Sequence, residues 1–126
     1  IAIVEDIDDI RKGLAQIIVA GFLDDIPQQI HILREALEPG DAPLVRLQAH
    51  TIKGAAENVG AGALRDVAST MEKAGAEGDM GRAVSILPRL EQEFERFKVT
   101  LGRLGWVPTS PTGNVGLLGG DSLTSP

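Results

Sequence analysis

His50, Lys53 and Gly54 stand within about one helical turn of one another in the stretch AHTIKGAAENVGA, Ala49 to Ala61. Their residue types suit group transfer. Apolar residues recur around them at helical spacing, so all three are expected on one helix. Gly54 is out of place there. Glycine inside a helix is destabilising by about 1 kcal/mol relative to alanine, and alanines stand beside it at Ala55 and Ala56.

A helical projection gives that glycine a purpose. At roughly 100° per residue, Arg46, Lys53, Gly54 and Glu57 fall within roughly 60° of His50. Val45, Ala49, Ile52, Ala56 and Val59 fall on the far side, between roughly 180° and 260°, and form the core stripe. His50 is therefore expected on the solvent face. A lone surface histidine is most often incidental. Gly54 argues otherwise, because its missing side chain clears space beside the imidazole for a flat partner surface. An imidazole with the reference pKa of about 6.5 is largely neutral and nucleophilic at neutral pH. Lys53 could offset the negative charge of a group passed to that ring, which suits phosphoryl transfer. Arg46 and Glu57 are expected to dock a partner or to be solvated. His31 lies beside the stripe residue Ile30 with no Lys-Gly after it, and is expected to be structural or incidental.

The rest of the chain must present that face. Its 126 residues suit one domain, and 43% of them are hydrophobic while only 3% are aromatic. A core of Leu, Ile, Val and Ala without alternating strand patterns favours packed helices. The formal net charge of -6 argues against nucleic-acid binding through a basic face. No cysteine is present, which removes disulfides and thiolate metal sites and fits a reducing, cytoplasmic setting. The longest apolar cluster, Ile17 to Leu23, is far too short to span a bilayer, and no direct membrane contact is expected. The chain opens on Ile1 rather than Met and carries no signal peptide, as expected of a piece of something longer.

Four helical segments follow from the apolar spacing. The first covers residues 4–38, with Ile3, Ile7, Ile10, Leu14 and Ile17 in its early half and Phe22, Ile26, Ile30, Leu33 and Leu37 in its later half. Gly21 and Pro27 predict a kink or break near residues 21–26. Asp41 caps the second helix, with Pro43 in its first turn, and GAG at Gly60–Gly62 ends it. The third covers residues 61–76. The fourth is capped by Asp79, carries Ala83, Val84, Leu87, Leu90, Phe94, Phe97, Leu101 and Leu104 at spacings of three and four, and is expected to bend slightly at Pro88. Short connections make neighbours antiparallel. The expectation is an all-α fold: an up-and-down four-helix bundle over residues 20–104, an N-terminal helical arm at 1–19, and a flexible Gly/Pro/Ser/Thr-rich tail at 105–126. The arm's apolar stripe is expected to pack on its own bundle, with a dimer seam as the other reading.

The stretch AHTIKGAAENVGAGALRDVASTMEKAG, Ala49 to Gly75, resembles the histidine-containing phosphotransfer (HPt) domains of bacterial phosphorelays. Their motif is a histidine, two residues, then Lys-Gly, followed by an alanine-rich turn. H-x-x-K-G alone is a weak match. The flanking helices, FLDDIPQQIHILREALEPGD upstream and LPRLEQEFERF downstream, extend the resemblance to residues 20–104. It implies an antiparallel bundle whose exposed histidine takes a phosphoryl group from a receiver-domain aspartate and hands it to another receiver. His50 would be the phosphoacceptor, Lys53 the charge partner and Gly54 the clearance residue. Glu72 falls where family members often carry Gln or Glu, and could accept a hydrogen bond from the imidazole; an ordinary solvated glutamate is the alternative. No cofactor is implied for this chain, since the divalent metal would sit in the partner receiver.

No GxxxxGK[ST] loop is present, and GNVGLLGG at Gly113–Gly120 has the wrong spacing for a dinucleotide fingerprint. The chain is thus expected to carry phosphate without making it. The opening IAIVEDIDDIRKGL looks like the start of a receiver, but nothing after Leu14 alternates strand and helix. The leading expectation is a relay intermediate, the C-terminal module of a hybrid sensor kinase or a separate carrier. The alternatives are the phosphoacceptor domain of a chemotaxis-type kinase, or a helical module that binds receivers or dimerises without chemistry. Two histidines without an E-x-x-H pairing do not make a di-iron bundle site.

Overall fold

The computed structural model describes residues 2–105, with side chains from Asp9 onward. The tail expected at 105–126 falls, apart from Gly105, outside the described residues. Four helices follow in order: α1 (Ala2–Leu37), α2 (Ala42–Asn58), α3 (Gly62–Ala76) and α4 (Met80–Arg103). They form the expected up-and-down bundle, in which α2 packs most extensively on α3.

Local chemistry sets the helix ends. Asp41 accepts a hydrogen bond from the Leu44 backbone N–H at 3.2 Å, and Asp79 accepts one from that of Arg82 at 3.1 Å. Each satisfies an amide that the first turn would leave unpaired. The three connections share one closure. The N–H groups of Asp41, Ala61 and Asp79 reach back to the carbonyls of Ala36, Ala56 and Ala74, each at 2.9 Å. That wrap needs a left-handed residue, supplied by Gly40, Gly60 and Gly78 with φ of 76°, 72° and 70°.

The core is aliphatic. Phe22, Ile26, Ile30 and Leu33 of α1 meet Val45, Ala49, Ile52 and Ala56 of α2, Leu64, Val67, Ala68 and Met71 of α3, and Ala83, Ile86, Leu90 and Phe94 of α4. Phe22 makes edge contacts with Phe94 and Phe97 at 6.1 and 5.5 Å between ring centroids, an orientation the ring quadrupoles favour. Gln48 is the buried polar side chain among the described residues. Its amide donates to Gln29 and ties α2 to α1. Arg34 and Glu91 pair across α1 and α4.

Three expectations need correction. No break occurs near residues 21–26: arm and first bundle helix are one helix with Pro27 inside it. Pro27 and Gly21 are exposed while Val19, Phe22, Ile26 and Ile30 are buried, so the buried face holds the helix through a ladder bond lost on the water side. Pro88 is likewise exposed inside α4. Val84 in α4 and Leu104 at its C-cap face solvent, and Ile86 is buried instead. Among the arm's described side chains, Ile10, Leu14 and Ile17 are exposed rather than packed on the bundle, and burial begins at Val19. Ile3 and Ile7 lie outside the described side chains.

Candidate functional site

His50 lies at mid-length of α2 with its ring 61% exposed, on the face opposite the buried Val45, Ala49, Ile52 and Ala56. Across the α2–α3 groove, Glu72 meets both partners. Its Oε2 lies 3.0 Å from His50 Nδ1 and its Oε1 lies 2.8 Å from Lys53 Nζ. One carboxylate therefore spans two residues of α2 that sit almost a turn apart. The Lys53 hydrogen bond holds the Glu72 carboxyl below the usual glutamate range. Partial burial opposes it, and the His50 hydrogen bond adds to the lowering.

That geometry suits one tautomer of a neutral imidazole. An ionised carboxylate can only accept hydrogen bonds, so Nδ1 carries the proton and donates it to Glu72. A neutral ring protonated at Nδ1 has its lone pair on Nε2. The ring is thus presented with a bare nitrogen on its far edge and an anion behind it. Should Nε2 bond an electrophile, the positive charge that develops on the ring falls beside Glu72.

Gly54 lies one turn beyond His50, and a β-carbon built there meets nothing within 4 Å beyond its own helix backbone. Packing within the chain does not require this glycine, so the open space beside the ring faces outward. Arg46 and Glu57 are both exposed. Arg46 joins Pro43, Leu47, His50 and Glu72 around a shallow depression of about 280 Å³, whereas Glu57 lies two turns along α2 from His50 and does not line it. His31 is exposed and pairs with Glu35 at 3.3 Å on α1, away from this cluster. Among the described residues, no group of three His, Asp or Glu side chains could hold a metal ion.

Two residues of the site escaped sequence reasoning. Leu47 is 60% exposed beside the histidine. Its signal was available, since it lies about 60° from His50 on the helical projection, an apolar residue on the polar face. Gly75 is buried against the backbone of Arg46. In the sequence it reads as part of the α3 stop signal, and nothing local distinguishes it from the turn glycine Gly78.

The Hpt domain family matches residues 17–100. No curated protein matches the chain in sequence. The crystal structure of histidine-containing phosphotransfer protein B (HptB) from Pseudomonas aeruginosa PAO1 shares the fold. It superimposes with a TM-score of 0.71 at 24% identity, over 79% of this chain and 87% of that one. In the described residues, no helix is long and apolar enough to cross a membrane. With the match covering well over half of its length, the chain belongs to the Hpt domain family, the phosphotransfer modules of two-component signalling.

Proposed function

We propose that His50 is the phosphoacceptor, taking a phosphoryl group from the aspartyl phosphate of one receiver domain and passing it to the aspartate of another. Nε2 attacks the phosphorus, the N–P bond forms as the acyl phosphate P–O bond breaks, and the receiver's aspartate leaves as a carboxylate. Nδ1 keeps its proton throughout. The ring becomes cationic as the bond forms, and Glu72 stabilises that charge through the hydrogen bond already in place. The second transfer is the same step reversed onto another carboxylate.

Lys53 has two roles in this reading. In the resting state it holds Glu72 in its depressed, ionised form. During transfer its ammonium lies one turn from the incoming dianionic group and offsets its charge. Gly54 admits the receiver, and Arg46, Leu47 and Glu57 form part of the surface it meets. The divalent metal belongs to the receiver, and none of this chain's residues is assigned to it. A receiver-fed carrier with no nucleotide loop in its sequence fits the terminal module of a hybrid sensor kinase in the cytoplasm.

The observation that carries this reading is the Glu72 Oε2 to His50 Nδ1 contact of 3.0 Å on a ring that is 61% exposed. The test is transfer from a panel of phosphorylated receivers, with His50→Gln as control. Acid-labile, base-stable label on the wild type and none on the variant is the expected result. Equal labelling of both would move the acceptor elsewhere. Tight receiver binding without any label would leave a docking module.

A further inference from the structure

The N-terminal half of α1 is built differently from the bundle it joins. Among the described side chains, burial along α1 begins at Val19. Ile18, Gly21 and Phe22 face Ala55, Asn58 and Val59 at the end of α2 across a groove, and Phe22 meets Phe97 near the end of α4. Residues 2–17 continue the same helix toward its N-terminus, roughly 24 Å of helix at 1.5 Å per residue. The Hpt domain match also begins only at residue 17.

This stretch of helix carries an apolar stripe in water. Ile10, Leu14, Ile17 and Ile18 are 61%, 55%, 68% and 54% exposed. A helix of that length is marginal alone, and contiguous apolar surface of this kind marks an association site. The spacing from Ile3 through Ile7, Ile10 and Leu14 to Ile17 alternates four and three, a heptad seam with Ile7 and Leu14 at a and Ile3, Ile10 and Ile17 at d. The seam ends where the bundle starts, because the next a and d positions are Gly21 and Asp24.

The flanking charges choose the occupant and its direction. In that register Asp6 falls at g and Arg11 at e. In a parallel coil, g of one helix faces e five residues further along its neighbour, so Asp6 of one copy meets Arg11 of another, reciprocally. Antiparallel coils pair g with g and e with e. One antiparallel register sets Asp6 against Gly13 and Arg11 against Val4, and the other sets Arg11 against Arg11. We propose that the α1 arm is a self-association helix, through which copies of this chain join as a short parallel coiled coil and leave every His50 face open. Isoleucine at the d positions, with Ile18 at e widening the stripe, admits a third or fourth strand as well as a second.

Sedimentation equilibrium of the 126-residue chain from micromolar to near-millimolar concentration tests this. Reversible self-association is expected. Ile10→Glu should weaken it about 100-fold by placing a charge in the seam, with unchanged labelling at His50. Arg11→Glu should weaken it about fivefold, and adding Asp6→Arg should restore it to within about twofold. Because the chain has no cysteine, Ile10→Cys alone should cross-link copies through a d–d contact on mild oxidation. A monomer at every concentration would overturn the proposal, whether the stripe is then covered by other residues of the same chain or left in water. Association that ignores Ile10→Glu would place the interface elsewhere, and a charge swap without rescue would overturn the parallel register.

Discussion

Gly75 of α3 lies against the backbone of Arg46 of α2 so closely that a β-carbon at position 75 would stand 2.8 Å from the Arg46 amide nitrogen and 3.0 Å from its Cα. Backbone atoms cannot swing aside as a side-chain tip can. The two helices therefore meet at this distance only because residue 75 is glycine. Arg46 sits one turn before His50, and Gly75 sits just under a turn after Glu72. The contact thus sets the α2–α3 separation at the level of the His50–Glu72 hydrogen bond, whose 3.0 Å length leaves only a few tenths of an ångström of tolerance.

Gly75→Ala should accordingly affect two properties at once. Overpacking should destabilise the fold by about 1–3 kcal/mol, read as a lower urea midpoint. The spread helices should stretch the Glu72 contact and slow transfer to His50 severalfold. If the variant were as stable as the wild type and transferred phosphate equally fast, the spacing role would be wrong.

Glu72 is testable through pH. Its carboxyl is held below the usual glutamate range in the folded chain, so deprotonation favours folding. That stabilisation is fully present above the unfolded value of about 4.3 and is lost as pH falls through the lower folded value. A wild-type stability advantage over Glu72→Gln should therefore persist at neutral pH and shrink only in acid. Glu72→Ala should slow phosphorylation of His50 about tenfold, as loss of the partner that orients a metal-bound imidazole does at the low end, and Glu72→Gln should recover part of the rate. Equal rates for all three proteins would leave Glu72 structural.

Much of this site was legible because one helix carries its central residues. The 3.6-residue period placed His50, Lys53 and Gly54 outward and Val45, Ala49, Ile52 and Ala56 inward without any tertiary information, and the structure agrees. Asp41 and Asp79 announced their helices through capping chemistry that is also local. Glu72 could be named only through a resemblance, since its meeting with His50 depends on how α2 and α3 cross. Gly75 depends on the same crossing. The break expected near Pro27 did not occur for a related reason: proline's local penalty was weighed without the burial of Ile26 and Ile30 on the face that holds α1 in place. The arm's stripe was read correctly as apolar and helical. That Ile10, Leu14 and Ile17 stay off the bundle depends on how α1 sits against the other helices, which the local period does not carry.

Leu47 should behave as a contact residue for the receiver. It is 60% exposed and lines the depression beside His50. Leu47→Glu should leave stability within about 0.5 kcal/mol of wild type, as exposed substitutions do. It should weaken receiver binding by at least tenfold and raise KM for phosphoreceiver more than it lowers kcat. Arg46→Ala and Glu57→Ala should have smaller, salt-dependent effects. Titration calorimetry against an unphosphorylated receiver separates these cases, and unchanged affinity for Leu47→Glu would take that residue out of the interface.

Gly54 gives the sharpest separation of folding from function. Beyond its own helix backbone nothing lies within 4 Å of a β-carbon placed there, so Gly54→Ala meets no clash inside the chain. It replaces glycine with the best helix former and should raise stability by about 1 kcal/mol. The same methyl group projects into the space beside the His50 ring, where a receiver must approach. Transfer should fall with side-chain size from Gly54→Ala to Gly54→Leu, while thermal midpoints stay at or above wild type. A stabilised Gly54→Leu that transfers at the wild-type rate would show that the glycine clears nothing. Loss of stability in Gly54→Ala would instead show that position 54 serves the fold.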